Sequence, residues 1–273
     1  MNMLIAVDGS PHSQITLQLG AQFAALIGSR VTLLRVAKSN SERKPAQSHL
    51  EKASETMSGE VKSIQLKIRT GSPVKEIIRE LQAGGYGVAV LGFRPVADGI
   101  KRIFGPTLDQ IVSKSPCPVL IAKKNSGSLK RILICDSGAE GPPLIERFIR
   151  QFRALIKPDT QVTLLHVMSQ MSAGPGVRGW QLRADAEALI EAHTPEGDLL
   201  EHDVHEMEYF DIEPNVVVRH GWVVDEIIAE SKQGKYGLIV IGAHRDEGWQ
   251  SLLLDDIAHQ IIVQSDLPVL VLK

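Results

Sequence analysis

Several things are scarce in this chain. Of its 273 residues two are cysteine, and aromatics make up 4%. Cys117 and Cys135 both lie inside strand-like apolar runs, which argues against a disulfide framework or a zinc site and for a reducing, cytoplasmic setting. No apolar run approaches the ~20 residues that span a bilayer. The opening Met1-Asn-Met-Leu-Ile-Ala-Val-Asp8 meets a charge before a signal-peptide core could form, so no secretory leader is expected. Few aromatics and scattered basic residues disfavour a nucleic-acid interface. An excess of one charge is missing as well, the formal net charge being −2. That balance conceals an opposition. Residues 1–125 carry 17 Lys+Arg against 9 Asp+Glu, whereas residues 126–273 carry 13 against 23. Two readings fit: solvated surfaces that attract each other across a domain interface, and a first half alone suited to anions.

What is present is repetition. Val31-Thr-Leu-Leu-Arg-Val36 recurs as Val162-Thr-Leu-Leu-His-Val167. Arg69-Thr-Gly-Ser-Pro-Val-Lys-Glu-Ile-Ile78 recurs as Arg219-His-Gly-Trp-Val-Val-Asp-Glu-Ile-Ile228, Tyr86-Gly-Val-Ala-Val-Leu-Gly92 as Tyr236-Gly-Leu-Ile-Val-Ile-Gly242, and Ser115-Pro-Cys-Pro-Val-Leu as Ser265-Asp-Leu-Pro-Val-Leu. The last three pairs share one offset of 150 residues. So long a period describes two domains, at 1–125 and 129–273, and not a solenoid. The first and second strands match at smaller offsets, so the second copy carries extra residues within about 168–210.

Each copy alternates short β-branched runs with amphipathic stretches, the pattern of a parallel sheet covered by helices. Strands are expected at 3–8, 31–36, 61–69, 86–92 and 117–123, and again near 131–136, 161–167, 213–219, 237–242 and 268–272. Helices are expected near 11–28, 47–59, 72–84 and 104–114, with another near 178–193 in the insertion. Ser10-Pro11 and Ser72-Pro73 read as helix starts.

These residues resemble the universal stress protein family in its tandem form. The signs are Leu4-Ile-Ala-Val-Asp-Gly-Ser10, the Val-Thr-Leu-Leu-x-Val strand, the Gly-Ser-Pro after the third strand and the closing Ser-Pro-Cys-Pro-Val-Leu. The resemblance implies an α/β fold of two doubly wound, five-stranded parallel-sheet domains of order 3-2-1-4-5. It also implies pairing of the domains through their fifth strands.

Many members of that family bind ATP through Gly-x2-Gly-x9-Gly-(Ser/Thr) after the fourth strand, where glycines let the backbone approach phosphates. The first copy reads Gly92-Phe-Arg-Pro95, nine residues, then Gly105-Pro106-Thr107. Pro95 replaces a glycine, and Pro106 replaces the hydroxyl residue and lacks an N–H. Arg94, Lys101 and Arg102 keep the loop cationic. The resemblance implies ATP or another adenine nucleotide, with any Mg accompanying ATP, held by Val7, Asp8, Gly9, Ser10, Val36, Gly71, Gly92, Arg94, Gly105 and Thr107. The second copy reads Gly242-Ala-His-Arg245 and then Asp255-Asp256. Carboxylates there repel a phosphate tail, so no ATP is expected in this half. Asp136 keeps the carboxylate of the first strand.

Other candidates have bland alternatives beside them. Glu201, His202 and His205, with His193 nearby, could offer metal ligands if helical, but a solvated acidic face explains them as well, and no metal site is assigned. Met168, Met171, Trp180, Leu182, Leu189 and Ile190 could line an apolar pocket or pack a helix on its sheet. Trp222 could fill the space of an adenosine. Cys117 is expected to be buried and inert. His12 and His166 fall at strand ends, and no catalytic constellation can be assembled from spacing.

The leading reading is therefore a cytoplasmic stress-response binding and signalling module, with a nucleotide in the first domain and no turnover chemistry. A slow ATPase or nucleotide-dependent transferase is one alternative. The other is a nucleotide-free interaction protein or a binder of an apolar small molecule.

Overall fold

The computed structural model describes every residue except 11–12, 95, 99–100, 104–105, 125–127, 137–142, 170–182 and 244–255. For 96–98, 101–103, 106–107 and 256 it describes the backbone alone. The chain divides into two compact units, Met1–Ser126 with Ala243–Lys273, and Gly127–Gly242. Among the described residues, no helix is long and apolar enough to cross a membrane.

The first unit is built on β1 (Asn2–Ala6), β2 (Arg30–Ala37), β3 (Ile64–Thr70), β4 (Val88–Gly92) and β7 (Val119–Ala122). Their order is β3-β2-β1-β4-β7, all parallel. This is the expected 3-2-1-4-5. Met3, Leu4, Ile5, Val88, Ala89 and Val90 have no solvent exposure, as continuous apolar runs require when helices cover both sheet faces. Those helices include α1 (Ser13–Ile27), α2 (Arg43–Met57), α3 (Pro73–Gly84) and α4 (Pro106–Lys114). Between β4 and α4 lies an antiparallel hairpin of β5 (Val96–Asp98) and β6 (Lys101–Ile103), which the sequence did not announce. In the same unit, β12 (Val269–Leu272) runs antiparallel beside β7, Leu270 opposite Leu120. The helix α9 (Asp256–Gln264) precedes it. Lysines closing the two last strands reach helix ends, Lys123 Nζ donating to the carbonyl of Ile262 and Lys273 Nζ to that of Ser113.

The second unit contains β8 (Arg131–Cys135), β9 (Gln161–Met168), β10 (Asn215–His220) and β11 (Leu238–Gly242), parallel and in the order β10-β9-β8-β11. Its helices are α5 (Leu144–Phe152), α6 (Ala186–Glu191), α7 (Pro195–Glu208) and α8 (Val223–Gln233). The helix expected near 178–193 is confined, among the described residues, to α6. The unexpected α7 is the longer of the two helices among the described residues of the insertion. Its start is well signalled in retrospect: Thr194 Oγ1 accepts from the Gly197 amide at 3.0 Å and Pro195 takes the first turn. Gly197 is required by packing, because a Cβ there would lie 2.1 Å from the Leu189 carbonyl oxygen of α6. Strand limits shift by a few residues from expectation, most at β3, which begins at Ile64 and not at 61.

Repeated polar residues hold repeated elements. In the first unit Glu80 of α3, fully buried, accepts from Lys67 Nζ at 2.8 Å, Arg69 Nε at 2.7 Å and Tyr86 Oη at 2.7 Å. Arg69 also pairs with Glu76 at 3.1 Å. In the second unit Glu230 of α8 accepts from Arg219 Nε at 2.7 Å and Tyr236 Oη at 2.8 Å, and Arg219 pairs with Glu226 at 3.1 Å. Each carboxylate thus ties the third strand, the following helix and the start of the fourth strand. Ser115 and Ser265 repeat likewise, each hydroxyl bonding the backbone two residues on to close the turn into the last strand.

Burial presses the Glu80 pKa upward, but bonds from Lys67, Tyr86 and Arg69 outweigh it and hold the carboxyl below its ordinary 4.5. Its stabilisation is therefore present above that value and lost as pH falls through the folded pKa. Glu80→Ala leaves Arg69, Lys67 and Tyr86 without their shared acceptor and is expected to cost about 3–5 kcal/mol. Tyr86→Phe is expected to cost about 1.5–3 kcal/mol. Urea denaturation of the full chain at neutral pH checks both, and a Glu80→Ala loss under ~1 kcal/mol would contradict the account.

Candidate functional site

The carboxyl ends of parallel strands form a crevice where strand order reverses, here beside β1 between β2 and β4. Val7 continues β1, its amide donating to Leu34 at 2.9 Å. Leu34 pairs with Ala6, so Arg35 and Val36 flank Val7 on one side. Ile5 pairs with Val90, so Gly92 lies level with Val7 on the other. Gly71, at the far end of β3, bonds the Ala37 carbonyl at 2.9 Å. Val7, Val36, Gly71 and Gly92 therefore share one end of the sheet.

Asp8, Gly9 and Ser10 make the turn from β1 to α1. The Ser10 amide and the Ser13 hydroxyl both donate to Asp8 Oδ1, at 2.9 and 2.7 Å. The other oxygen, Oδ2, faces Arg94 Nη2 at 3.6 Å, and both side chains are largely exposed. Burial pushes the Asp8 pKa up, but the bonds from Ser10 and Ser13, with Arg94 nearby, prevail and leave the carboxyl below its ordinary range. Gly9 has φ +72, and a Cβ there would sit 1.8 Å from Arg35 Nη1. The guanidinium thus lies directly against the turn backbone. Among the described residues, its Nη1 is buried without a hydrogen-bond partner.

Arg35 and Ser13 are site residues that sequence reasoning missed. Arg35 was visible inside the repeated Val-Thr-Leu-Leu-x-Val strand, but only the fold carries its side chain back over Gly9. Gly105, with Pro95, lies outside the described residues. Thr107 falls in the first turn of α4, and the same holds for Pro106.

The equivalent end of the second unit is built differently. Cys135 pairs with Leu165, so Asp136 lies beside His166, and His166 pairs with Val218. Two residues beyond Val218, and so on the same face, comes His220. From α5, Arg147 Nη2 reaches the region of Gly242, 3.4 Å from a Cβ built there. Asp203 of α7 is 1% exposed and His166 7%. Burial raises the Asp203 carboxyl to about 8, with Asp136 and Glu206 adding to the effect. Burial lowers the His166 pKa against the opposing pull of Glu196 and Asp136. It also lowers that of Arg147, which Asp136 counters. Trp222 does not fill this space: it stands as the N-cap residue of α8 and is 68% exposed. Arg245 and Asp255 lie outside the described residues.

The remaining candidates resolve simply. Met168 and Leu189 pack with Ala184 as core, with Ala188 and Val218 against them. Met171, Trp180 and Leu182 lie outside the described residues, as does His12. Cys117 is buried, and burial raises its thiol pKa. Among the described residues, His193, Asp198 and Glu201 bring three ligating atoms within 4.8 Å of one another. This group differs from the sequence-derived set, since His202 and His205 of α7 stand outside it. His193 and Asp198 are strongly exposed.

A doubly wound parallel sheet covered by helices places the chain among the open-sheet α/β proteins. The universal stress protein family model matches residues 1–123 and again 128–273, and the chain belongs to that family, in tandem form. Among solved structures, a functionally unknown protein from Pseudomonas aeruginosa PAO1 is 18% identical with a TM-score of 0.73, covering 100% of this chain and 92% of its own. A universal stress protein from Archaeoglobus fulgidus DSM 4304 is 20% identical with a TM-score of 0.68, covering 100% and 98%. The cytoplasmic domain of a prokaryotic cation chloride cotransporter is 13% identical with a TM-score of 0.54, covering 99% and 94%. At these identities the likeness shows the fold alone. No curated protein sequence matches the chain.

Because the folded-state pKa of Asp203 lies above its ordinary 3.8, the folded state holds a proton that the unfolded chain releases. Stability should then fall as pH rises from about 4 towards about 8, by up to ~1.4 kcal/mol per pH unit. Asp203→Asn is expected to flatten that slope and to exceed the parent in stability at pH 8. Urea midpoints measured across this range decide it, and an unchanged slope in the variant would refute the assignment.

Proposed function

We propose that the first sequence repeat, residues 1–125, binds one adenine nucleotide and that the chain works as a binding and signalling module. The observation that carries this reading is the Nη1 nitrogen of Arg35, buried against Gly9 and without a hydrogen-bond partner among the described residues. A buried N–H without an acceptor is costly, and a phosphate oxygen would satisfy it. Arg94, exposed next to Asp8, adds a second guanidinium suited to phosphate. Asp8 stays ionised and fixed by Ser10 and Ser13, ready to accept from a ribose hydroxyl. Asp8, Gly9, Ser10 and Arg94 are among the positions that the family resemblance assigns, and Arg35 is added to them here. The second repeat, 129–273, then serves as a nucleotide-free partner. Occupancy would act on a protein partner only through differential affinity for two states.

Pro106 withholds one amide from the cradle. ATP therefore suffers more than AMP, since the missing donor concerns the outer phosphates.

Equilibrium dialysis of the full chain with labelled ATP is expected to give one site per chain. Arg35→Gln should weaken it at least ~10-fold, the equivalent of ~1.4 kcal/mol. Arg94→Gln should have a smaller effect that shrinks with added salt. Pro106→Ser should tighten ATP more than AMP. No binding at millimolar ATP, or an undiminished affinity in Arg35→Gln, would overturn the proposal.

A further inference from the structure

The stretch from Asp185 to Glu213, which forms α6 and α7, contains 11 Asp and Glu residues and no Lys or Arg. Among the described residues, none of these carboxylates makes an ion pair with a Lys or Arg from elsewhere; their one close charged neighbour is a histidine. Carboxylates crowded without compensation raise a negative potential that draws cations in. Such a surface selects no particular ion, since salt screens it. Selection requires a ligand of another kind, fixed among the carboxylates.

The corner between α6 and α7 supplies one. Asp198 and Glu201 stand three residues apart on α7 and so share a face. His193 immediately precedes the Thr194 cap of that helix. Ligating atoms of His193, Asp198 and Glu201 all lie within 4.8 Å of one another. His193 Nδ1 is 3.6 Å from Asp198 Oδ1, too far for a hydrogen bond. Among the described residues, none of the three side chains makes a hydrogen bond. Their lone pairs thus converge without being spent on one another.

The frame under them is held by other groups. The His193 amide donates to the Ile190 carbonyl at 3.0 Å, and the Thr194 amide to that of Leu189 at 3.2 Å. The buried Thr194 hydroxyl accepts from Gly197, which packs directly on the Leu189 carbonyl. The corner is therefore fixed by backbone and cap contacts, while His193 and Asp198 are exposed and Glu201 is half-exposed.

The donor set selects the ion. Calcium takes six to eight oxygens and magnesium an octahedron of them, whereas an imidazole nitrogen with carboxylate oxygens suits zinc and other borderline divalent metals. Bonds of ~2.0–2.2 Å place the ligands of a tetrahedral zinc about 3.4 Å apart. The His193–Asp198 pair at 3.6 Å is close to that already, and Glu201 needs only a side-chain rotation. The positive end of the α7 dipole opposes a cation, but it fades within the first turn, and Glu201 lies beyond that turn.

We propose that the α6–α7 corner binds one zinc ion, or a borderline divalent ion of the same class, through His193, Asp198 and Glu201, with water completing its shell. The site belongs to the second unit, and it stands whether or not the first repeat holds a nucleotide.

Titration of the tag-free, chelator-stripped full chain with zinc chloride in a non-coordinating buffer tests this. Expected is one saturable ion per chain at micromolar zinc, and no comparable uptake of magnesium. His193→Gln, Asp198→Asn and Glu201→Gln should each weaken zinc at least ~10-fold, the equivalent of ~1.4 kcal/mol. His202→Gln and His205→Gln, outside the trio, should leave it unchanged. Zinc should also raise the urea midpoint of the parent by mass action and that of His193→Gln much less, the two zinc-free midpoints agreeing because the corner is held by other contacts. No saturable uptake at sub-millimolar zinc would overturn the proposal. So would several weak ions per chain, affinity untouched by all three trio substitutions, or magnesium bound as tightly as zinc.

Discussion

A carboxylate sunk behind the third strand of each half governs how these sheets are held. Glu80 has no exposed side chain, yet it remains ionised because Lys67, Arg69 and Tyr86 all donate to it. An isolated buried charge would be too costly to keep. Three donors from two strands turn that liability into a fixed joint between strand, helix and strand. Glu230 repeats the joint with Arg219 and Tyr236. With these elements fixed in register, the strand ends are presented at constant positions, and the residues just beyond them are free to differ.

Differ they do. In the first unit the strand ends carry Asp8, Arg35 and Arg94, partly open to solvent and cationic on balance. In the second unit the same end holds His166 where the repeat has Arg35, and Asp136 where it has Asp8. Arg147 enters from the helix, and α7 brings Asp203 in from the insertion. Exposed charges stay ionised and screened by water, which suits capture of an anion. Buried groups change protonation to avoid uncompensated charge, and a neutral Asp203 is the outcome. One fold thus offers two chemistries, set by dielectric as much as by residue type.

The opposition of net charge between the two halves was legible from the sequence, and its local expression was not. The acidic stretch around Glu201 and His205 reads as a solvated helix face, and much of α7 is one. Asp203 is the exception, turned inward by helical periodicity that a run of mixed charges conceals. Likewise Trp222 looks like a plug for an empty nucleotide hollow until its exposure is seen. The hairpin of β5 and β6 interrupts a stretch whose glycines and prolines suggested only a connecting loop.

The sequence by itself determined the duplication, the alternation of strand and helix, the parallel sheet and the identity of the turn residues Asp8, Gly9 and Ser10. Each of these follows from local pattern: apolar runs buried on two faces, helix starts marked by serine and proline, and motifs recurring at one offset. Only the tertiary structure decided which long side chains return to the strand ends. Arg35, Arg147 and Asp203 act across elements distant in the chain, and their environment is a sum over neighbours that no single segment contains. Burial and partnership are properties of that sum, and they make one carboxyl an ion and another an acid.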